Sequence, residues 1–310
     1  MSESSLLRQL RQTDDPNTAH DLALALLNGS PRREAVDAAL HTLQLAQPDA
    51  NARPALRTTF THYAQGKVRD SGGLVREKIV RLLLAIDDPN DLDIYLTGIH
   101  TYERQPVTDT AQNLRAAALV GVAMVNPELG HFHAVRLLSE LDDVSRFNGE
   151  PALTAINLLA QQGQTLLLYQ FLLLAGLDAL EAGQNELLGK ALESLGEAFP
   201  VALYRELADL FTPRDRALVN MGIVTHIVEH RVTNLYPLLD TIMTSTRHTE
   251  LHHYGAVMLA ASRDAELTGK LFQLAKTSPR HRIGNFLAAL ELVPGEQARE
   301  IATALRQRQA

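Results

Sequence analysis

Residues 70–89 read Asp-Ser-Gly-Gly-Leu-Val-Arg-Glu-Lys-Ile-Val-Arg-Leu-Leu-Leu-Ala-Ile-Asp-Asp-Pro. Val75, Ile79, Leu82 and Ile86 fall at i, i+4, i+7 and i+11. That spacing gathers them into one apolar stripe on a helix of 3.6 residues per turn. Asp88-Pro89 then ends this helix and opens another, since proline is tolerated in a first turn and aspartate accepts the free amides there. The pattern returns downstream, with Leu114, Ala118, Gly121 and Val125 as the stripe and Asn126-Pro127 as the break.

Further breaks lie at Asp15-Pro16, Gln47-Pro48, Gly163-Gln164, Phe199-Pro200, His230-Arg231, Arg263-Asp264 and Val293-Pro294. Counted from the second residue of each break, the steps along the chain are 32, 41, 38, 37, 36, 31, 33 and 30 residues. Two helices per step at such a period predict an all-α superhelix, a solenoid of eight or nine helical hairpins forming one repeat domain over 1–310. First helices are expected near 74–86, 112–125, 150–162, 184–198, 213–230, 248–262 and 280–292, lining a concave side. Their partners, near 90–102, 127–141, 165–181, 200–211, 232–244, 264–276 and 294–308, would form the convex layer.

Composition agrees with this reading. Hydrophobic residues make up 45% of the 310 but aromatic ones only 5%, so the apolar material is mostly helix-forming Leu and Ala. No Gly/Ser/Pro-rich linker divides the chain. There is no cysteine, which removes disulfides, thiol nucleophiles and cysteine metal ligands together. The polar start carries no signal sequence, and the most apolar run, Thr165 to Leu177, is shorter than the about 20 residues of a bilayer span. A cytoplasmic chain without membrane contact is therefore expected. The net charge of −7, from 29 basic and 36 acidic residues without like-charge blocks, offers no general attraction to nucleic acid.

The run Asp70-Ser71-Gly72-Gly73-Leu74-Val75-Arg76 before an Ala/Leu-rich helix resembles the Asp-turn-Val-Arg step of HEAT repeats. Asn113-Leu114-Arg115-Ala116-Ala117 repeats its core, whereas later units have Leu153-Thr154 and Leu188-Gly189 where the arginine would stand. The stretch from Val68 to Leu138 is similar to a group of bacterial HEAT-repeat proteins. This resemblance implies a fold and, for arginines in that position, a role in bracing turns; a shared fold does not fix a function.

Several constellations could carry chemistry. His226-Ile227-Val228-Glu229-His230 spells the H-x-x-E-H pattern of zinc proteases, with Glu300 as a distant third ligand; its plainer reading is a histidine near a helix C-terminus, favoured by the dipole. His131 and His133 diverge on a helix, and His248, His252 and His253 lack a carboxylate on their face. HEAT-like iron hydroxylases carry His-Glu dipeptides, and this chain has none. Arg76, Lys78 and Arg81, with Arg115 one unit on and Arg69 and Lys67 beside them, form a basic cluster that could meet phosphate, as in HEAT-like DNA glycosylases. Across the seven first helices, however, nine basic residues face nine acidic ones, and there is no tryptophan. No phosphate loop or nucleophile elbow occurs, so neither cofactor nor catalytic residue is assigned.

Leu166 to Leu177 is apolar on every side except Gln170. Such a helix is either buried all round or exposes a patch, and burial beneath residues 141–151 is the expectation; the patch alternative names Leu167, Phe171 and Leu174. Loops at Gln65–Gly73, Asp142–Gly149 and Thr101–Asp109 exceed what the repeat needs. The leading expectation is a non-enzymatic scaffold holding a protein or peptide on its concave face, with self-association possible. A nucleic-acid-binding protein is second and a zinc hydrolase through His226 and Glu229 third.

Overall fold

The computed structural model describes residues 2–29, 32–66, 68–105, 108–140, 149–177 and 184–309. Among them stand eighteen α-helices and one antiparallel pair of two-residue strands, Arg104 opposite Asp109 and Gln105 opposite Thr108. The chain is all-helical and divides into two compact units, Met1–Leu158 and Leu159–Ala310.

Each of the nine breaks falls between two consecutive helices. The first unit holds α1 (Glu3–Gln12) and α2 (Pro16–Gly29), α3 (Arg33–Ala46) and α4 (Arg53–Ala64), α5 (Leu74–Ile86) and α6 (Leu92–Ile99), α7 (Gln112–Val125) and α8 (Pro127–Ser139), and most of α9 (Ala152–Gln161). The second holds α10 (Thr165–Leu177), α11 (Asn185–Glu193) and α12 (Val201–Phe211), α13 (Ala217–Glu229) and α14 (Tyr236–Ser245), α15 (Thr249–Ala261) and α16 (Ala265–Thr277), α17 (Ile283–Leu290) and α18 (Glu296–Gln309). The breaks work as their side chains dictate. Asp15, Asn126 and Asp264 each accept backbone amides of the helix that follows, at 2.9–3.0 Å, and Asp88 accepts the Asn90 amide of the 3₁₀ turn (Pro89–Asp91) that leads into α6. Pro16 and Pro127 occupy the first position of their helices, where no amide hydrogen is needed.

Within each unit most helices pack on a neighbour, and many also on the next but one. In the first unit α1, α3, α5 and α7 touch in succession, as do α2, α4 and α6; in the second α11, α13, α15 and α17 do so, beside α10 and α12 and then α14, α16 and α18. The stripes are what they bury. Val75, Ile79 and Leu82 on α5, and Leu114, Ala118 and Gly121 on α7, are all inside. One crossing is closer than any side chain allows: a Cβ on Gly189 of α11 would meet the Leu218 carbonyl, and one on Gly222 of α13 would meet the Gly189 carbonyl, so two glycines bring these backbones into contact.

Three expectations shift in detail. The helix expected to run to 198 ends at Glu193, where Gly196 turns the chain with φ of +77°. The helix expected from 213 begins at Ala217, because Pro213 sits in a 3₁₀ turn (Thr212–Arg214) and Asp215 is left-handed at φ of 41°. The 101–109 loop carries the small strand pair, whereas most of the expected 142–149 loop lies outside the described residues. No described helix is long and apolar enough to cross a membrane.

Candidate functional site

Four residues of the basic cluster read from the sequence are held by this chain's own carboxylates, while Arg69 is exposed and Lys67 lies outside the described residues. Arg76 is buried and donates from Nε to Asp70 at 2.9 Å and from its terminal nitrogen to Glu103. Asp70 also accepts the Val75 and Arg76 amides, so one carboxylate starts α5 and holds its arginine. Arg115 repeats the device on α7. It donates to Asp109 and to the Thr101 carbonyl at 3.2 Å, and lies 4.4 Å over the Tyr102 ring. Asp109 in turn accepts the Glu103 and Ala111 amides. Lys78 pairs with Asp37 at 2.8 Å and Arg81 with Glu77 at 3.0 Å. Among these four predicted site residues, none offers a cation free of a carboxylate, and the two buried ones brace turns. Their partners lie up to 41 residues away in sequence, which is why spacing alone left them looking free.

The H-x-x-E-H residues do not converge. His226 is buried with its ring stacked on Tyr204 at 4.0 Å and 11°, and His230, just past the end of α13, meets it edge-on at 4.9 Å. Glu229 is exposed to solvent. Burial pushes the His226 ring down to about 4, with His230 acting the same way and a hydrogen bond to the Glu193 backbone opposing them. A neutral ring wedged in the core is the result, and its Nδ1 has no hydrogen-bond partner. His252 is held likewise: Asn285 donates to its Nδ1 at 3.1 Å, Phe286 meets it edge-on at 4.9 Å, and burial lowers it to about 4. Among the described residues no group of three or more His, Asp or Glu side chains could hold a metal ion.

Two features of the second unit remain. On α10, Leu168, Phe171, Leu172 and Ala175 face inward, but Leu166, Leu173 and Leu174 are 75%, 38% and 58% exposed. Together with exposed Gln170 they form one face of the helix. The segment expected to cover this helix, 141–151, lies mostly outside the described residues; of the residues named for a patch, Leu174 is exposed, Leu167 is half-buried and Phe171 is core. A helix apolar on every side gives no periodicity from which its wet face could be read.

The second feature is a groove of about 660 Å³ between the turn that precedes α13 and the face of α14, lined by Pro213, Arg214, Asp215, Asn220, Ile242 and Arg247 among others. Asp215 organises it. Its Oδ2 accepts the Arg247 amide at 2.9 Å, its Oδ1 accepts from the Asn220 side chain at 3.4 Å, and its backbone oxygen meets His248 Nε2 at 2.5 Å. Sequence patterns missed this site, because nothing but the left-handed turn at Asp215 brings 212–215 against 241–248. No family model matches the chain, and no curated protein matches it.

Proposed function

We propose that the chain is a HEAT-like α-solenoid of nine hairpins that serves as a non-enzymatic cytoplasmic scaffold for a protein partner. The regular break spacing and the next-but-one packing within each unit support the architecture, since an array of that kind presents extended helix faces to a partner. The observation that carries the function is the exposed Leu166, Leu173 and Leu174 face of α10. Apolar surface left wet on one helix of a well-packed array marks contact with another protein. In a solenoid of this register α10 belongs to the convex row, so the contact is assigned there and not to the concave side.

The competing readings lack such support. A phosphate-binding role drew on Arg76, Lys78, Arg81 and Arg115, whose charges are already matched. A zinc hydrolase drew on His226, which is stacked in the core. The test is capture of partners by the immobilised chain from lysate of its own organism, washed at moderate salt, with a Leu166→Asp/Leu174→Asp variant in parallel. One dominant protein held by the native chain and lost by the variant is the expected result. Recovery of nucleic acid alone, eluting with salt, would sink the proposal.

A further inference from the structure

Arg214, Arg216 and Arg247 have no carboxylate partner among the described residues, unlike the turn-bracing Arg53, Arg57, Arg76 and Arg115 of the first unit. Arg216 is half-buried; it donates to the Asn185 side-chain oxygen at 3.1 Å and lies 5.7 Å over the Phe211 ring. Burial lowers its affinity for its proton, and the nearby Arg214 adds to the effect. Arg216 is held by Asn185 and does not line the Asp215 groove. Arg214 and Arg247 are exposed at the rim of the groove described above.

The groove has further properties that select a ligand. Asn220 lines it at 3% exposure, and its Oδ1 has no donor. Its amide nitrogen is held by Asp215, and the oxygen itself is closed off from solvent. Asp215 is the one carboxylate in the lining, and both of its oxygens already accept hydrogen bonds. Pro213, Leu238 and Ile242 supply an apolar wall. No Phe, Tyr or Trp lines the groove to stack on a base, and Asp215 would repel a run of phosphates.

We infer that this groove recognises an acidic segment of the protein partner: an Asp or Glu side chain set between Arg214 and Arg247, with an apolar neighbour on Leu238 and Ile242. An acidic peptide supplies both the anion that Arg214 and Arg247 lack and an apolar side chain for the wall. The inference rests on the scaffold reading above and narrows the chemistry of its partner.

Selection of short random peptides on the intact chain tests it, with counter-selection on an Arg214→Gln/Arg247→Gln double variant. Both side chains are exposed, so the variant is expected to fold as the parent does. The expected result is enrichment of Asp- or Glu-containing sequences beside Leu, Ile or Val. A synthetic copy of the enriched peptide should bind the double variant about tenfold more weakly or worse, and lose affinity in salt. Its Asn/Gln version should fail to bind. No acidic enrichment, or binding indifferent to the arginines, overturns the inference, as does displacement of the peptide by an unrelated single-stranded oligonucleotide. Capture of the same lysate protein by the double variant at undiminished yield would remove the groove while leaving the scaffold proposal standing.

Discussion

The two units hold their turns with the same residue type used in opposite ways. In the first, arginines end on carboxylates: Arg53 and Arg57 converge on fully buried Asp91, Arg76 on Asp70, and Arg115 on Asp109. In the second the close contacts are to carbonyl and amide oxygens, and the arginine–carboxylate pairs are longer, Arg231 with Asp264 and Arg306 with Glu291 at 3.7 Å each. Arg282 donates to the carbonyls of Met243, Thr244 and Thr246 at the end of α14, and Arg308 to those of Lys276 and Ser278 at the end of α16. Position and spacing are kept while the chemistry changes. Asp70 and Arg76 stand six residues apart, as do Asp109 and Arg115, whereas Thr246 and His252, and Ser278 and Gly284, stand at that spacing in the second unit. An ion pair fixes both of its ends in a buried place, and leaving either end alone is costly. An arginine on helix-end carbonyls satisfies orphan acceptors and the helix dipole without burying a second charge. The arginines that brace the first unit's turns are therefore matched by carboxylates, whereas those that brace the second unit's turns leave no carboxylate buried with them.

The largest effect should come from breaking a buried pair. Asp109→Ala leaves the Arg115 guanidinium in the core and frees the Glu103 and Ala111 amides. A loss of about 3–5 kcal/mol in urea unfolding is expected. Removing both charges with Asp109→Leu/Arg115→Met should recover much of it. If the single and double variants were equally damaged, the carboxylate would be acting as a cap and not as a counter-ion.

Acid should separate the units next, since the buried neutral histidines lie in the second. His226 and His252 titrate near 4 when folded and near 6.5 when unfolded. Between those values the unfolded chain binds more protons, so the stability these rings contribute is complete above about pH 6.5 and is lost as pH falls toward 4. For each ring the loss is on the order of 3 kcal/mol over that window. His226→Phe keeps a ring on Tyr204 and should flatten the acid slope, measured from urea midpoints between pH 7 and pH 4. An unchanged slope would mean that the first unit's carboxylates set it.

Arg282→Ala should cost less, about 1–3 kcal/mol, because it exposes carbonyls that water can partly reach and strands no buried charge. Hydrogen exchange should report the loss at the end of α14 and the start of α17. Comparable loosening throughout the second unit would show that this contact matters to the whole unit.

Much of this was readable before any coordinates. Seven of the nine breaks carry proline, asparagine or aspartate acting on their own neighbours, and local rules of that kind need no tertiary information; the other two turn at left-handed Gly163 and Arg231. Thus α5 and α7 begin and end where their stripes do. What could not be read was pairing at a distance. Lys78 and Asp37 are 41 residues apart, and Arg53 and Asp91 are 38 apart. A cluster of arginines in one stretch therefore looked like a surface when two of its members were buried struts. The Arg214 and Arg247 groove failed to register for the converse reason: its residues are ordinary one by one, and only the turn at Asp215 assembles them.

The smallest stability effect is attached to the largest functional one. Leu166 and Leu174 point to solvent, so replacing both by Asp should move the urea midpoint by no more than about 0.5 kcal/mol of stability. Phe171→Asp, three residues from Leu174 on the inward face, should by contrast cost about 3 kcal/mol or more and unfold the neighbourhood. Aspartate on the outward face and aspartate on the inward face of one helix are then told apart by which way the replaced side chain points. Sedimentation and partner capture should fail for the exposed-face variant while its circular dichroism stays native. If Leu166→Asp/Leu174→Asp unfolded the chain as Phe171→Asp does, α10 would be buried on both faces and the second unit would have no apolar surface there to offer. If it stayed folded and still held its partner, the contact would have to lie with the unpaired arginines instead, which makes this variant and the Arg214→Gln/Arg247→Gln pair the two arms of one comparison within the second unit.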